Sequence, residues 1–260
     1  MKIENIVKVM NFHALLRVDF ARKQAEKYFE YEKELNNFAD IILNNRNLVL
    51  DKKTLKTNKK GKPLNIYIAN DLGFCGNFNT NVNKIMEQDT NSEKIIIGKK
   101  ILKQGKNVLL AITKDEYKEN TKKIEEILYN SIYKNINSEI NIIYNHYYNI
   151  SQIELIKKKI LPIENKKKGK MEHKEDFIVE GDINQILINI IVLYLSYEIR
   201  LAQENSYASE NVMRQMITKQ SLDKLKEIKE ESIKQQRKIH KQKSIKKTLE
   251  NYINNMKKEK

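Results

Sequence analysis

The chain has 260 residues with a formal charge of +15, 40% hydrophobic and 32% charged residues, and a single cysteine. That cysteine count excludes a disulfide framework and any multi-cysteine metal cluster. Charges at nearly every helical turn of the N-terminal stretch exclude a secretory signal, and the longest apolar run, 186–197, is interrupted by Asn189 and reads as too short to span a bilayer. The charge implies an acidic partner such as nucleic acid, anionic lipid or an acidic protein surface. Only six of the 49 basic residues are Arg, the residue suited to bidentate phosphate and base recognition, so much of the charge reads as compositional bias.

All seven glycines and both prolines fall between Gly61 and Gly181. Because these residues are the strongest local terminators, the chain divides into a helical arm over 1–60, a punctuated centre over 61–182 and a second helical arm over 183–260. In the first arm Val7, Ala14, Ala21, Tyr28, Leu35 and Ile42 recur every seven residues, the stripe of a coiled coil. Ile3, Met10, Tyr31 and Phe38 supply a second row, broken at Arg17 and Gln24.

In the centre, β-rich apolar runs at 64–69, 94–98, 108–113 and 140–147 alternate with helical patterns at 79–86 and 120–133. The alternation predicts a mostly parallel sheet covered by helices. Lys157–Lys174, with eight lysines, reads as an exposed loop. The last arm is free of breakers over about 74 residues, or about 110 Å as one helix. Paired antiparallel with the shorter first arm, it must project well beyond its partner. Residues 217–260 carry 14 Lys/Arg against 6 Asp/Glu. A helix this polar is rarely stable alone, so residues beyond about 229 are expected to become helical only inside an enclosing partner. The apolar positions that return near the end are Ile245, Leu249, Ile253 and Met256.

The chemistry-bearing candidates are few. The turn at 71–79, with Asp71, Gly73, Cys75 and Gly76, follows a strand and opens a helix, a place where open α/β sheets bind phosphates. It lacks the Gly-Lys-Ser/Thr of a Walker A loop and the Rossmann glycine spacing, so a tight turn holding a packed thiol is the better reading. Cys75 has no histidine in its sequence neighbourhood, and the four histidines (13, 146, 173, 240) are scattered, which argues against nucleophilic catalysis and zinc binding. Carboxylate pairs such as Glu30/Glu34 and Glu227/Glu231 lie on Lys-rich helices and read as solvated faces.

The order of the pieces resembles the gamma subunit of F-type ATP synthases. Ile6-Val7-Lys8-Val9-Met10 is similar to the family's I-T-K-A-M. The segment 68–79, Ile-Ala-Asn-Asp-Leu-Gly-Phe-Cys-Gly-Asn-Phe-Asn, resembles S-S-D-R-G-L-C-G-G-x-N. Leu161-Pro162 and 177–182 resemble L-L-P and Y-x-F-E-P-D. Ala208-Ser209-Glu210-Asn211 with Arg214 is similar to A-S-E-x-x-x-R, and Lys241-Gln242-Lys243-Ser244-Ile245 with Leu249 to R-Q-A-S-I-T-Q-E-L. Leu72 and Asn77 stand where Arg and Gly are usual, and Lys246-Lys247-Thr248 replaces T-Q-E.

The resemblance implies an antiparallel coiled coil of the two terminal helices on a central Rossmann-like α/β domain. It implies a non-catalytic rotor shaft inside a three-fold ring of alpha-like and beta-like subunits, which would bind Mg-ATP while this chain carries no cofactor. An epsilon-like subunit and a membrane rotor ring are further implied partners, with a cytoplasmic location at the inner face of the membrane and no self-association. Ring or rotor contacts then fall to Lys8, Met10, Ile245, Lys246, Lys247, Leu249, Ile253 and Met256. Asp71, Gly73, Cys75 and Gly76 form the foot-domain turn, and Ser209, Glu210 and Arg214 border the first arm, where Glu210 meets a base. Two alternatives stand beside this: the shaft of a divergent F-type-like ATPase driving another process such as gliding, and a basic coiled-coil protein that binds nucleic acid.

Overall fold

The computed structural model describes residues 3–44, 57–101, 107–149, 151–163 and 180–258. Two helices dominate it: α1 (Ile3–Asn44) and α4 (Ile183–Lys258). Neither contains Gly or Pro, which is why each runs unbroken, for about 63 Å and about 114 Å at 1.5 Å per residue. Asp182 caps α4, its Oδ1 accepting from the backbone N–H groups of Asn184 (3.0 Å) and Gln185 (3.4 Å). Contacts at three levels set the direction of packing. Glu4 lies 3.8 Å from Lys229, Thr218 donates to Asn11 Oδ1 at 3.1 Å, and Lys158 bridges Glu32 and Glu198. The helices therefore lie side by side and antiparallel.

Of the expected seven-residue stripe, Ala14 is buried and Val7 and Leu35 are half-buried; the side chains of Ala21, Tyr28 and Ile42 lie outside the described residues. The second row differs from expectation. Ile3 and Tyr31 are exposed, and Val18, with Asn11 ahead of it, faces α4 instead. Arg17 on the expected row has no buried partner to offset its desolvation, so the helix presents the neighbouring row. The side chain of Phe38 is outside the described residues.

Between the arms, β1 (Leu64–Ile68), α2 (Phe78–Gln88), β2 (Glu93–Ile97), β3 (Val108–Ile112), α3 (Tyr117–Tyr133), β4 (Ile140–Asn149) and β5 (Gln152–Leu161) follow in order. The sheet order is β3-β2-β1-β4-β5, with β1 to β4 parallel and β5 antiparallel to β4. Period-two alternation splits the apolar residues between two layers. On one face Leu64, Ile66, Ile95 and Ile142 meet Ile124 and Leu128 of α3 and Leu187, Ile191 and Leu195 of α4. On the other, Tyr67, Ile96 and Ile143 meet Val82 and Met86 of α2. Gly98 closes β2 at φ 127°, where a Cβ would sit 2.6 Å from the Ala69 backbone.

Three expectations change. The stretch 157–161 is not loop but half of β5, an edge strand whose lysines face water or acids, a pattern that blunts unpaired sheet edges. Residues 164–174 of the expected loop lie outside the described ones. Residues beyond 229 are helical to Lys258 without any enclosing partner, because Lys, Glu, Gln, Ile and Leu are good helix formers. And α4 does contain a stretch long and apolar enough to cross a membrane by length and composition; half of that stretch is buried, with Leu187, Ile191, Leu195 and Ile199 packed in the core of the α/β layer.

Candidate functional site: the joint between the foot and the long helix

The C-terminal edge of the parallel strands meets the middle of α4. Asp71, just after β1, accepts from the Lys99 backbone N–H (2.6 Å) after β2 and from the Lys114 N–H (3.1 Å) after β3. One carboxylate thus ties three loops. The rest of the turn is held by its own side chains: Asn79 Oδ1 accepts from the Asn70 N–H at 3.0 Å, and Asn79 Nδ2 lies 3.5 Å from Cys75 Sγ. Cys75 is buried, and burial pushes its thiol up, away from the thiolate that nucleophilic chemistry needs. Phe74 adopts φ 60° and Gly76 φ 58°. At Gly76 a side chain would meet Ile217 of α4, 2.9 Å from the Cβ position, so the turn can lie flat on the helix only with glycine there.

Against this turn α4 sets an ionic clamp. Arg214 donates through Nε and Nη2 to Gly73 O, both at 3.3 Å, and through Nη2 to Glu210. Lys114 approaches the other oxygen of Glu210 at 3.7 Å and lies 3.9 Å from the centre of the Tyr207 ring. Burial holds the Lys114 ammonium below its ordinary range, although Glu210, Glu204 and Asp71 oppose the shift. Ser209 donates to Asn145 O of β4 at 3.0 Å. Ser209, Glu210 and Arg214 therefore grip the α/β layer. The charged partners of Glu210 among the described residues are Arg214 and Lys114, not a base on α1, because this face of α4 turns toward the sheet.

A second joint lies lower. Lys158 of β5 sits 2.6 Å from Glu32 of α1 and 2.8 Å from Glu198 of α4, and Tyr194 donates to Glu198 at 3.2 Å. Burial would lower the Lys158 ammonium, but the two carboxylates outweigh it and hold the group protonated. Three elements meet on one ammonium.

Sequence reasoning missed Lys114, Tyr207 and Lys158. Only Lys158 left a trace, in the alternation of Ile153, Leu155 and Ile156 just before it. Among the described residues no group of three or more His, Cys, Asp or Glu is placed to hold a metal ion. The expected ring contacts lie on the outer reaches of the helices. Lys8 is exposed and pairs with Glu4 at 2.7 Å, Met10 is half-buried, Ile245, Lys247 and Leu249 are exposed, and Lys246 lies 3.9 Å from Glu250. The side chains of Ile253 and Met256 lie outside the described residues.

A helix that leaves its antiparallel partner behind, clamped at mid-length to an α/β foot, is the architecture of a stalk. The family model for ATP synthase matches residues 1–253. The ATP synthase gamma chain of Clostridium novyi is 30% identical over 230 residues, covering 81% of this chain and 78% of the relative; that of Mycoplasma mycoides subsp. mycoides is 29% identical over 228 residues, covering 82% and 80%. The chain belongs to the ATP synthase gamma-subunit family. In fold it is similar to a chain of the central stalk and c-ring structure of Tetrahymena thermophila mitochondrial ATP synthase, with a TM-score of 0.58 at 15% identity over 83% of this chain and 99% of that one. It is also similar to a rotor chain of the Euglena gracilis enzyme, with a TM-score of 0.51 at 16% identity over 86% and 98%. This membership does not favour the nucleic-acid reading of the charge, nor the gliding-associated variant.

Proposed function

We propose that the chain is the rotor shaft of an F-type rotary ATPase, coupling ATP hydrolysis or synthesis in a surrounding ring of alpha-like and beta-like subunits to rotation and proton transport. The observation that carries this reading is the overhang of α4. The last charge contact between the two helices joins Glu4 to Lys229, and α4 continues to Lys258, about 44 Å farther at 1.5 Å per residue. From Lys226 to Asn251 every side chain is exposed, including Ile239, Ile245 and Leu249. Such a spindle suits a sleeve that is apolar at its far end and acidic along its length.

On this reading α1 and α4 form an antiparallel coiled coil, and the sheet with α2 and α3 is a Rossmann-like foot. Mg-ATP binds to the ring and not to this chain, which is non-catalytic. Lys8, Met10, Ile245, Lys246, Lys247, Leu249, Ile253 and Met256 touch the ring or ride near it. An epsilon-like subunit and a membrane rotor ring join the foot at the inner face of the membrane. The Glu210–Arg214–Lys114 clamp fixes the spindle to the foot, so that a twist applied at one is delivered to the other. Quantitative mass spectrometry of complexes purified on this chain tests the reading. Nucleotide-binding alpha-like and beta-like subunits in about threefold excess are expected, as a closed three-fold ring around one shaft requires. Their absence sinks it.

A further inference from the structure

α1 is apolar on two sides. Ala14 and Val18 are buried toward α4, yet Ile6, Val9, Phe12, Leu16 and Phe20 are all exposed, at 45–59%. Phe12 and Leu16 each lie two residues from Ala14, and Leu16 and Phe20 two from Val18. Two residues are about 200° of helix, so this second stripe points directly away from α4. It does not end at Phe20. Steps of four, three and four residues lead through Gln24 and Lys27 to Tyr31, which lines a groove of about 610 Å³ between α1 and α4. Leu193 and Tyr197 of α4 form the far wall of that groove, both about half exposed. One narrow track, about 38 Å long at 1.5 Å per residue from Ile6 to Tyr31, thus descends α1 into a cleft beside the foot.

The track is one helix wide, and its borders are basic. Lys8, Arg17, Lys23 and Lys27 are exposed along it and Arg200 stands at the groove, against the exposed acid Asp19; Glu4 is turned toward Lys229. Exposed apolar rows of this size mark interaction sites, and a straight row read at three- and four-residue steps is the complement of an amphipathic helix.

We propose that this track holds an amphipathic helix of a second protein, acidic along its borders, that stays attached to the shaft as the shaft turns. The inference rests on the rotor reading above. A turning shaft presents its single stripe to each ring position in succession, and burying so many large apolar side chains against one of them would hold the rotor at that angle. A partner that travels with the shaft covers the same surface without stopping it.

A photo-crosslinking amino acid replacing Phe20 in the complex assembled in cells tests this. The expected product links this chain to a subunit outside the nucleotide-binding ring, at an acid-bordered helix, and the linked complex keeps ATPase turnover within about twofold because the tether joins two parts that move together. The companion variant K23E/K27E, on the exposed face and clear of the core, is expected to lower the yield of that product at low salt while the ring stays bound. A product linked to a ring subunit with turnover lost, a product linked to a second copy of this chain, or no product at all each overturns the proposal. A complex that contains no nucleotide-binding ring overturns the rotor reading instead, whatever Phe20 touches.

Discussion

The two halves of α4 share one backbone and obey opposite rules. From Ile183 to Thr218 the helix is woven into the molecule: Leu187, Ile191, Leu195 and Ile199 fill the core, and Glu210 and Arg214 are buried and paired. From Lys226 onward nothing covers it. The first half owes its helicity to tertiary packing, which is where most helical stability in proteins comes from. The second half depends on propensity and on weak pairs four residues apart. A single helix can thus be anchor and spindle at once, provided that its apolar residues are spent at one end.

Paired substitutions measure this contrast. The largest effect is expected at Ile191, fully buried, where I191A should destabilise the chain by about 4 kcal/mol in denaturant unfolding. The same change at Ile239, half exposed on the spindle, should be close to neutral in the free chain. Comparable losses at the two would mean that the spindle is packed after all. Next comes R214A, which strips Glu210 and Gly73 O of their donor in a buried setting and should cost about 3 kcal/mol. Retained stability would show that Lys114 alone satisfies Glu210.

A third, smaller effect depends on pH. The folded state holds Lys158 protonated more tightly than the unfolded chain, so its contribution is complete below the ordinary lysine value of 10.5 and fades as pH rises beyond it. In K158M the alkaline loss of stability should be shallower than in the parent; an unchanged slope would assign that loss to the buried tyrosines, whose hydroxyls burial also pushes up. The smallest effect belongs to Lys246 and Glu250, an exposed pair on the spindle. K246A should shift stability by less than about 0.5 kcal/mol and vanish at high salt, and a larger change would break the contrast from the other side.

Much of this architecture is legible in the chain because its punctuation is so uneven. With no Gly or Pro in either arm, both helices and the α/β centre follow from position alone, and four of the five strands declare themselves as apolar β-branched runs. β5 does not. Lys157, Lys158 and Lys159 look like a solvated loop, since sequence cannot reveal that Glu32 and Glu198, each from a distant element, neutralise the middle one. The same blindness hid the true row of α1: the heptad reading accepted Ile3 and Tyr31 because they are apolar, whereas packing selected Asn11 and Val18. The Glu210–Arg214 pair was visible as a motif, but its direction was not. Which side of a long helix faces a sheet is decided by the register of elements more than a hundred residues apart, as Arg214 meeting Gly73 shows.

The burial of Cys75 has a practical side. It is the chain's only thiol, shielded beneath the turn and held away from its reactive form. A cysteine introduced on the spindle, at Lys247 for instance, would be labelled selectively without first removing a native one. An optical probe fixed there, on a helix rooted through the clamp, would report the orientation of the whole molecule, so the protein comes ready-made as its own pointer.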